Sequence, residues 1–170
     1  MTENTETNTQ EQEQAPLRFL DQYLPYWLSQ ASYWISSEFH REVARTGLTF
    51  AEWRVLACLY GSAGETISAL CRLALIKQST LSKLVKRLEA SNLTLRQTTE
   101  GDRRQTLVSL TAEGQARIAG LVDKAQAHQQ EILRPFGEEN SSALIDTLKE
   151  LVREHEHSGL FGHDSARSRR

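Results

Sequence analysis

The stretch from Gln78 to Ser91 constrains this chain more than any other. Its apolar residues, Leu81, Leu84, Val85 and Leu88, fall at i, i+3, i+4 and i+7. That spacing lays a single apolar stripe along an α-helix and leaves the opposite side to solvent. The solvent side carries Gln78, Ser79, Ser82, Lys83, Lys86 and Arg87. Short polar groups stand at the N-terminal end and long cations follow. A helix of this kind needs a partner surface for its stripe, and the neighbouring residues supply one.

Ser68 to Ala74 reads as a short helix with Leu70, Cys71 and Ala74 inward, joined through a turn at Leu75-Ile76. Asn92 suits the left-handed position that ends a helix. Leu93 to Thr98 and Gln105 to Leu110 then read as two strands, with Thr99 to Arg104 as the connecting tip. Thr111 caps the next helix, helped by Glu113 in its first turn. Helix, turn, helix, hairpin, helix is the order of a winged helix-turn-helix.

The flanks are helical. Leu20, Leu24, Trp27, Leu28, Ala31, Ile35, Phe39 and Val43 recur at helical spacing up to Ala44, with Pro25 in the first turn and Gly47 as the stop. Leu48-Thr49-Phe50-Ala51-Glu52-Trp53 is a capping box: Thr49 caps and Glu52 reaches back, with Leu48 placed to staple onto Trp53. That helix stops at Gly61, and Glu65 to Ile67 suits a one-bridge strand. After Thr111, Ile118, Leu121, Val122, Ala125, Ile132 and Leu133 mark a long helix stopped by Pro135 and Gly137. A last helix, expected from near Asn140, carries Leu144, Ile145, Leu148, Leu151 and Val152 and ends by Gly159. The expected fold is mainly α with a small β wing. A winged helix-turn-helix lobe spans 48–111, and helices for dimerisation span 17–47 and 112–158. A disordered acidic tail over 1–16 and a flexible tail over 159–170 complete the chain.

Net charge is −2, yet its distribution is uneven. From Ser68 to Arg104 there are eight basic residues and three acidic ones, an excess of five positive charges. Clustered cations are the footprint of nucleic-acid binding. No apolar run approaches the roughly 20 residues of a membrane span, and the polar N-terminus lacks a signal segment, so a cytoplasmic protein is expected. Cys58 and Cys71 lack metal or redox spacing and read as buried thiols. In His155-Glu156-His157 the i, i+2 histidines do not share a helix face, so no metal is expected. No nucleophile motif, phosphate loop or zinc spacing occurs, so neither an enzyme nor a cofactor is expected.

Double-stranded DNA is the partner this pattern fits. A helix enters the major groove with its N-terminal residues at base edges. Gln78 suits adenine; Ser79, Thr80 and Ser82 donate or accept flexibly; Lys83 reaches guanine or phosphate. Lys77, Lys86 and Arg87 suit phosphates, which gives affinity and salt dependence without sequence information. Arg103 or Arg104 at the hairpin suits a narrow minor groove, with Asp102 stabilising the wing's shape.

Leu48-Thr49 through Glu52-Trp53-Arg54-Val55-Leu56, then Leu81 to Glu89, Asp102-Arg103-Arg104 and Ser109-Leu110-Thr111-Ala112-Glu113-Gly114 resemble the MarR (multiple antibiotic resistance regulator) family. The resemblance covers roughly Leu20 to Val152. It implies a homodimeric winged-helix transcription factor, often a repressor released by small aromatic or phenolic ligands. It makes Gln78 to Ser91 the recognition helix and Arg103 or Arg104 the minor-groove residue. Three positions depart from the family pattern: Leu75 and Asn92 stand where Gly is usual, and Lys77 where a capping polar residue is usual.

A homodimer is also expected because Trp27, Trp34, Phe39 and Leu160-Phe161 have little chain nearby to cover them. It would present two recognition helices about 34 Å apart to a pseudo-palindrome. A small aromatic effector, a carboxylate or phenol, is expected near Tyr33, Trp34, Ser37, His40, Arg41, Trp53 and Arg54, where rings and guanidinium groups suit it. The bland alternative makes Trp34 and Trp53 core residues and pairs Arg54 with Glu52 or Asp102. Competing functional readings are a DNA-binding regulator without an effector, a winged helix that binds only protein, and a thiol sensor using Cys58 or Cys71.

Overall fold

The computed structural model describes residues 18–99 and 102–157, apart from the side chains at 98, 99, 102–105, 156 and 157. The expected tails over 1–16 and 159–170, with Leu160-Phe161, lie outside the described residues. The chain divides into two compact units, 1–38 and 39–170.

In the first unit a short 3-10 turn, Phe19–Gln22, precedes the start of α1 (Leu24–Arg45), and Pro25 sits in its first turn. The Trp27 indole N–H donates to the Asp21 carbonyl at 3.1 Å, and Phe19 stacks on Tyr23. Trp27, Tyr33 and Trp34 are exposed.

The second unit is built around α2 (Phe50–Leu59). Its start is the capping box expected from Thr49 and Glu52, with Thr49 N–H and hydroxyl both 2.7 Å from Glu52 Oε2. Val55, Leu56 and Leu59 are fully buried against Phe39, Val43 and Leu48. After β1 (Glu65–Thr66), Thr66 caps α3 (Ile67–Ala74) through the Ala69 N–H at 3.1 Å. Leu70 and Ala74 are buried, whereas Cys71 is only half-buried and so less inward than its spacing implies.

Two helices end by the same device with residues other than Gly. Leu75 adopts φ 51 and ψ 44 after α3, and Ile76 N–H returns to the Cys71 carbonyl at 3.1 Å. Asn92 adopts φ 56 after α4 (Gln78–Ala90), and Leu93 N–H returns to the Leu88 carbonyl at 2.9 Å. Six-to-one bonds of this kind satisfy carbonyls that the helix leaves open. Asn tolerates the left-handed region; a Leu there costs about 1 kcal/mol. Leu75 bears that cost while its side chain is 80% exposed.

The sheet has strand order β1-β3-β2, all antiparallel. β2 is Thr94–Thr99 and β3 is Asp102–Leu110, in register from Thr94 opposite Leu110 to Thr98 opposite Thr106. A register shift between Thr98 and Thr99 then pairs Thr99 with Asp102. The hairpin is therefore longer than expected. Asp102, Arg103 and Arg104 lie in the strand rather than in the connecting tip, because the ladder continues past the turn-forming residues through an irregularity.

α5 (Ala112–Leu133) begins where it was expected, with Thr111 accepting from Gly114 N–H at 2.9 Å. Gly114 packs directly on the backbone of Leu93, between α4 and β2. A Cβ there would lie 1.9 Å from the Leu93 carbonyl oxygen, which already accepts from Thr111 N–H at 3.1 Å. A 3-10 turn, Arg134–Phe136, leads into α6 (Gly137–His157). This helix starts three residues before the expected Asn140. Gly137 at φ 76 makes the turn, Glu138 and Glu139 suit the first turn's positive end, and Asn140 instead donates to the Phe136 carbonyl at 2.9 Å.

Two substitutions test this account by urea denaturation. Gly114→Ala should cost about 3 kcal/mol, since backbone must move to admit the methyl group. Leu75→Gly should stabilise the fold by about 1 kcal/mol by removing the left-handed penalty. Native-like stability of the alanine variant would refute the close approach.

Candidate nucleic-acid interface

Burial of one side of α4 decides what the other side presents. Leu81, Val85 and Leu88 are essentially inaccessible and Leu84 nearly so. The helix packs on α2 and α3. Burying each such side chain contributes roughly 2 kcal/mol. Rotating the helix to hide its polar face would forfeit most of that. Gln78, Ser79, Thr80, Lys83, Lys86 and Arg87 are accordingly exposed, and Ser82 is half-buried. Lys77 stands at the cap position with no side-chain cap bond, and its carbonyl accepts from Thr80 and Leu81. All eight residues belong to this helix or its cap, and none of them is buried. Arg103 and Arg104 follow at the start of β3, on the hairpin next to α4. Their side chains and that of Asp102 lie outside the described residues.

Not every cation in the basic stretch is equally available. Arg96 Nε pairs with Glu89 Oε2 at 3.2 Å, joining β2 to α4. Arg87 Nε lies 2.8 Å from Glu52 Oε1. The sequence suggested Arg54 as a partner for Glu52, but Arg87 holds it instead. Burial raises the Glu52 carboxyl, and the Thr49 backbone N–H and hydroxyl together with Arg87 outweigh it, so its pKa lies below the ordinary value. On α1, Glu42 accepts from Lys124 of α5 at 2.8 Å and also pairs with Arg45. Its carboxyl is lowered chiefly by the Lys124 hydrogen bond.

The residues expected to meet an effector differ in environment. Tyr33 and Trp34 are exposed, and Ser37 donates to the Trp34 carbonyl at 2.9 Å. Trp53 is a core residue, its ring 5.2 Å from that of Phe39. His40 and Arg41 are exposed, with the His40 ring edge-on to Phe50 at 3.7 Å, and Arg54 is half-buried. The core reading is therefore right for Trp53 and wrong for Trp34.

Burial pushes the Cys58 thiol up, with a smaller lowering by Arg54 and a further raising by Glu65, and burial pushes the Cys71 thiol up as well. Both are poorer thiolates than a free cysteine, the reverse of a sensor's requirement. His155 Nδ1 sits 2.8 Å from the Leu151 carbonyl, and the side chains of Glu156 and His157 lie outside the described residues. None of the described helices is long and apolar enough to cross a membrane.

Comparison with known proteins places this surface in context. The MarR family model matches residues 46–105. The HTH-type transcriptional regulator PecS of Dickeya dadantii is 32% identical over 124 residues, covering 69% of this chain and 72% of PecS. A crystal structure of a MarR family transcriptional regulator from Silicibacter pomeroyi superposes with a TM-score of 0.71 at 32% identity, covering 81% of this chain and 98% of that one. The transcriptional repressor CouR, solved bound to a 23-mer DNA duplex, superposes with a TM-score of 0.67 at 26% identity, covering 81% of this chain and 99% of CouR.

The lowered carboxyl of Glu52 gives a pH test with a definite sign. A depressed folded-state pKa adds stability that is present above the unfolded value near 4.5 and is lost as pH falls through the folded value. In urea titrations the wild type should exceed Glu52→Gln at neutral pH, and the gap should close below the ordinary glutamate range. A gap that persists unchanged into acid would contradict the assigned hydrogen bonds.

Proposed function

This chain belongs to the MarR family of winged helix-turn-helix transcriptional regulators, and on that premise we propose that it is a sequence-specific double-stranded-DNA-binding repressor acting as a homodimer. The observation that carries the reading is the outward face of α4. Gln78, Ser79, Thr80 and Ser82 stand at its N-terminal end, where a major-groove helix meets base edges, and Lys83 and Lys86 stand where phosphates would run. Arg103 or Arg104 of β3 is assigned to the minor groove and Asp102 to the wing's shape. The DNA-bound state of CouR supports duplex DNA as partner, and its description as a repressor supports that direction of control.

The dimer is supported by apolar surface left open in each unit. Trp27 and Trp34 are exposed in the first; Phe136, Leu144 and Val152 are exposed in the second. Exposed apolar side chains in such number suit an interface, and a second copy provides a surface of matching chemistry. A two-fold pair would read a pseudo-palindromic operator.

Release by a small aromatic carboxylate or phenol completes the proposal. Exposed rings at Tyr33 and Trp34 offer stacking surface for an aromatic ligand. The raised thiols at Cys58 and Cys71 disfavour the redox alternative.

The test is affinity for a duplex enriched from a random pool, measured across a salt series. Binding should fall steeply with salt, by about 10³-fold or more between 50 and 200 mM. Lys83→Ala and Arg104→Ala should each weaken it about tenfold without unfolding the chain. Unaltered binding in both variants would reject the surface. A panel of aromatic acids should raise the melting temperature of the wild type, since a ligand selective for the native state stabilises it. No shift with any of them would leave a regulator without an aromatic effector.

A further inference from the structure

Apolar packing holds α4 against the fold but does not by itself fix its rotation and pitch. Directional contacts do that, and one comes from the residue that closes the cap of α2. Glu52 Oε2 accepts from Thr49 N–H and hydroxyl, and Oε1 receives Arg87 Nε at 2.8 Å. The Glu52 side chain is 10% exposed and that of Arg87 is 58% exposed. One carboxylate thus closes the first turn of α2 and anchors the third turn of α4. Ser79, Lys83 and Arg87 form a single i, i+4 row on α4, so the anchor lies on the row proposed to face DNA.

We propose that Glu52 is a positioning residue for DNA reading: through Arg87 it sets the angle at which α4 presents Gln78 to Lys83, and Arg87 gives its guanidinium to Glu52 rather than to phosphate. This rests on α4 being the helix that reads DNA. Electrostatics sharpens the inference. A carboxylate beside a DNA-facing row repels phosphate, so a bystander glutamate should improve binding when neutralised. A positioning glutamate should weaken it, and selectively. Phosphate attraction survives a tilted helix; base contacts, which require register, do not.

The experiment compares wild type, Glu52→Gln, Arg87→Lys and their double variant on the enriched duplex and on a random-sequence duplex of equal length. Glu52→Gln should lower affinity for the enriched duplex about tenfold and leave the random duplex unchanged or slightly tighter. Arg87→Lys, which preserves charge and the α2 cap, should lose a similar ratio, and the double variant should be no worse than the poorer single. Arg87→Ala should leave the salt slope unchanged. Equal or tighter binding of Glu52→Gln to the enriched duplex overturns the proposal, as does a salt slope reduced by about one in Arg87→Ala. If circular dichroism shows Glu52→Gln unfolded, Arg87→Lys carries the test, and an unchanged enriched-to-random ratio overturns it. A wild type that enriches no duplex defeats the DNA-binding reading itself, and this proposal with it.

Discussion

The structure depends on the burial of one stripe. Leu81, Leu84, Val85 and Leu88 are almost wholly removed from water, and no other orientation of α4 would hide them. Everything polar on that helix is thereby directed outward. The neighbouring elements serve that orientation. α3 and its left-handed stop at Leu75 deliver the chain to the start of α4, and Asn92 reverses it into β2. The approach of Gly114 to Leu93 then holds the beginning of α5 against the segment that joins α4 to β2.

Much of this was legible locally. The Thr49–Glu52 box, the Thr111 cap and the left-handed Asn92 need only neighbours a few residues apart, and each lies where its chemistry indicates. The polar face of α4 followed from a period of four hydrophobes. What escaped was set by distance along the chain. The partners Glu52 and Arg87 are far apart in sequence, and no local pattern links them. Gly114 was visible as a motif residue, but the reason for it, a carbonyl 1.9 Å from where its Cβ would stand, exists only after β2 and α5 meet. Turn-rich composition around Gly101 concealed how far β3 extends, because a ladder can continue through a register shift.

Residue type was also a poor guide to environment in α1 and α2. Trp34 and Trp53 have the same side chain, yet the first lies open and the second is packed against Phe39. The net charge was equally uninformative. Glu52 and Glu89 each neutralise a nearby arginine, while Lys77, Lys83 and Lys86 stand exposed on α4 and its cap. Local arrangement, not the chain total, gives an acidic protein a basic surface.

Photocrosslinking tests the central claim most directly. Thymines of an enriched duplex are replaced one at a time by 5-iodouracil, the complex is irradiated, and the attached peptides are identified by mass spectrometry. Base-proximal crosslinks should fall within residues 77–87. Crosslinks confined to other elements, with none in this helix, would contradict the account.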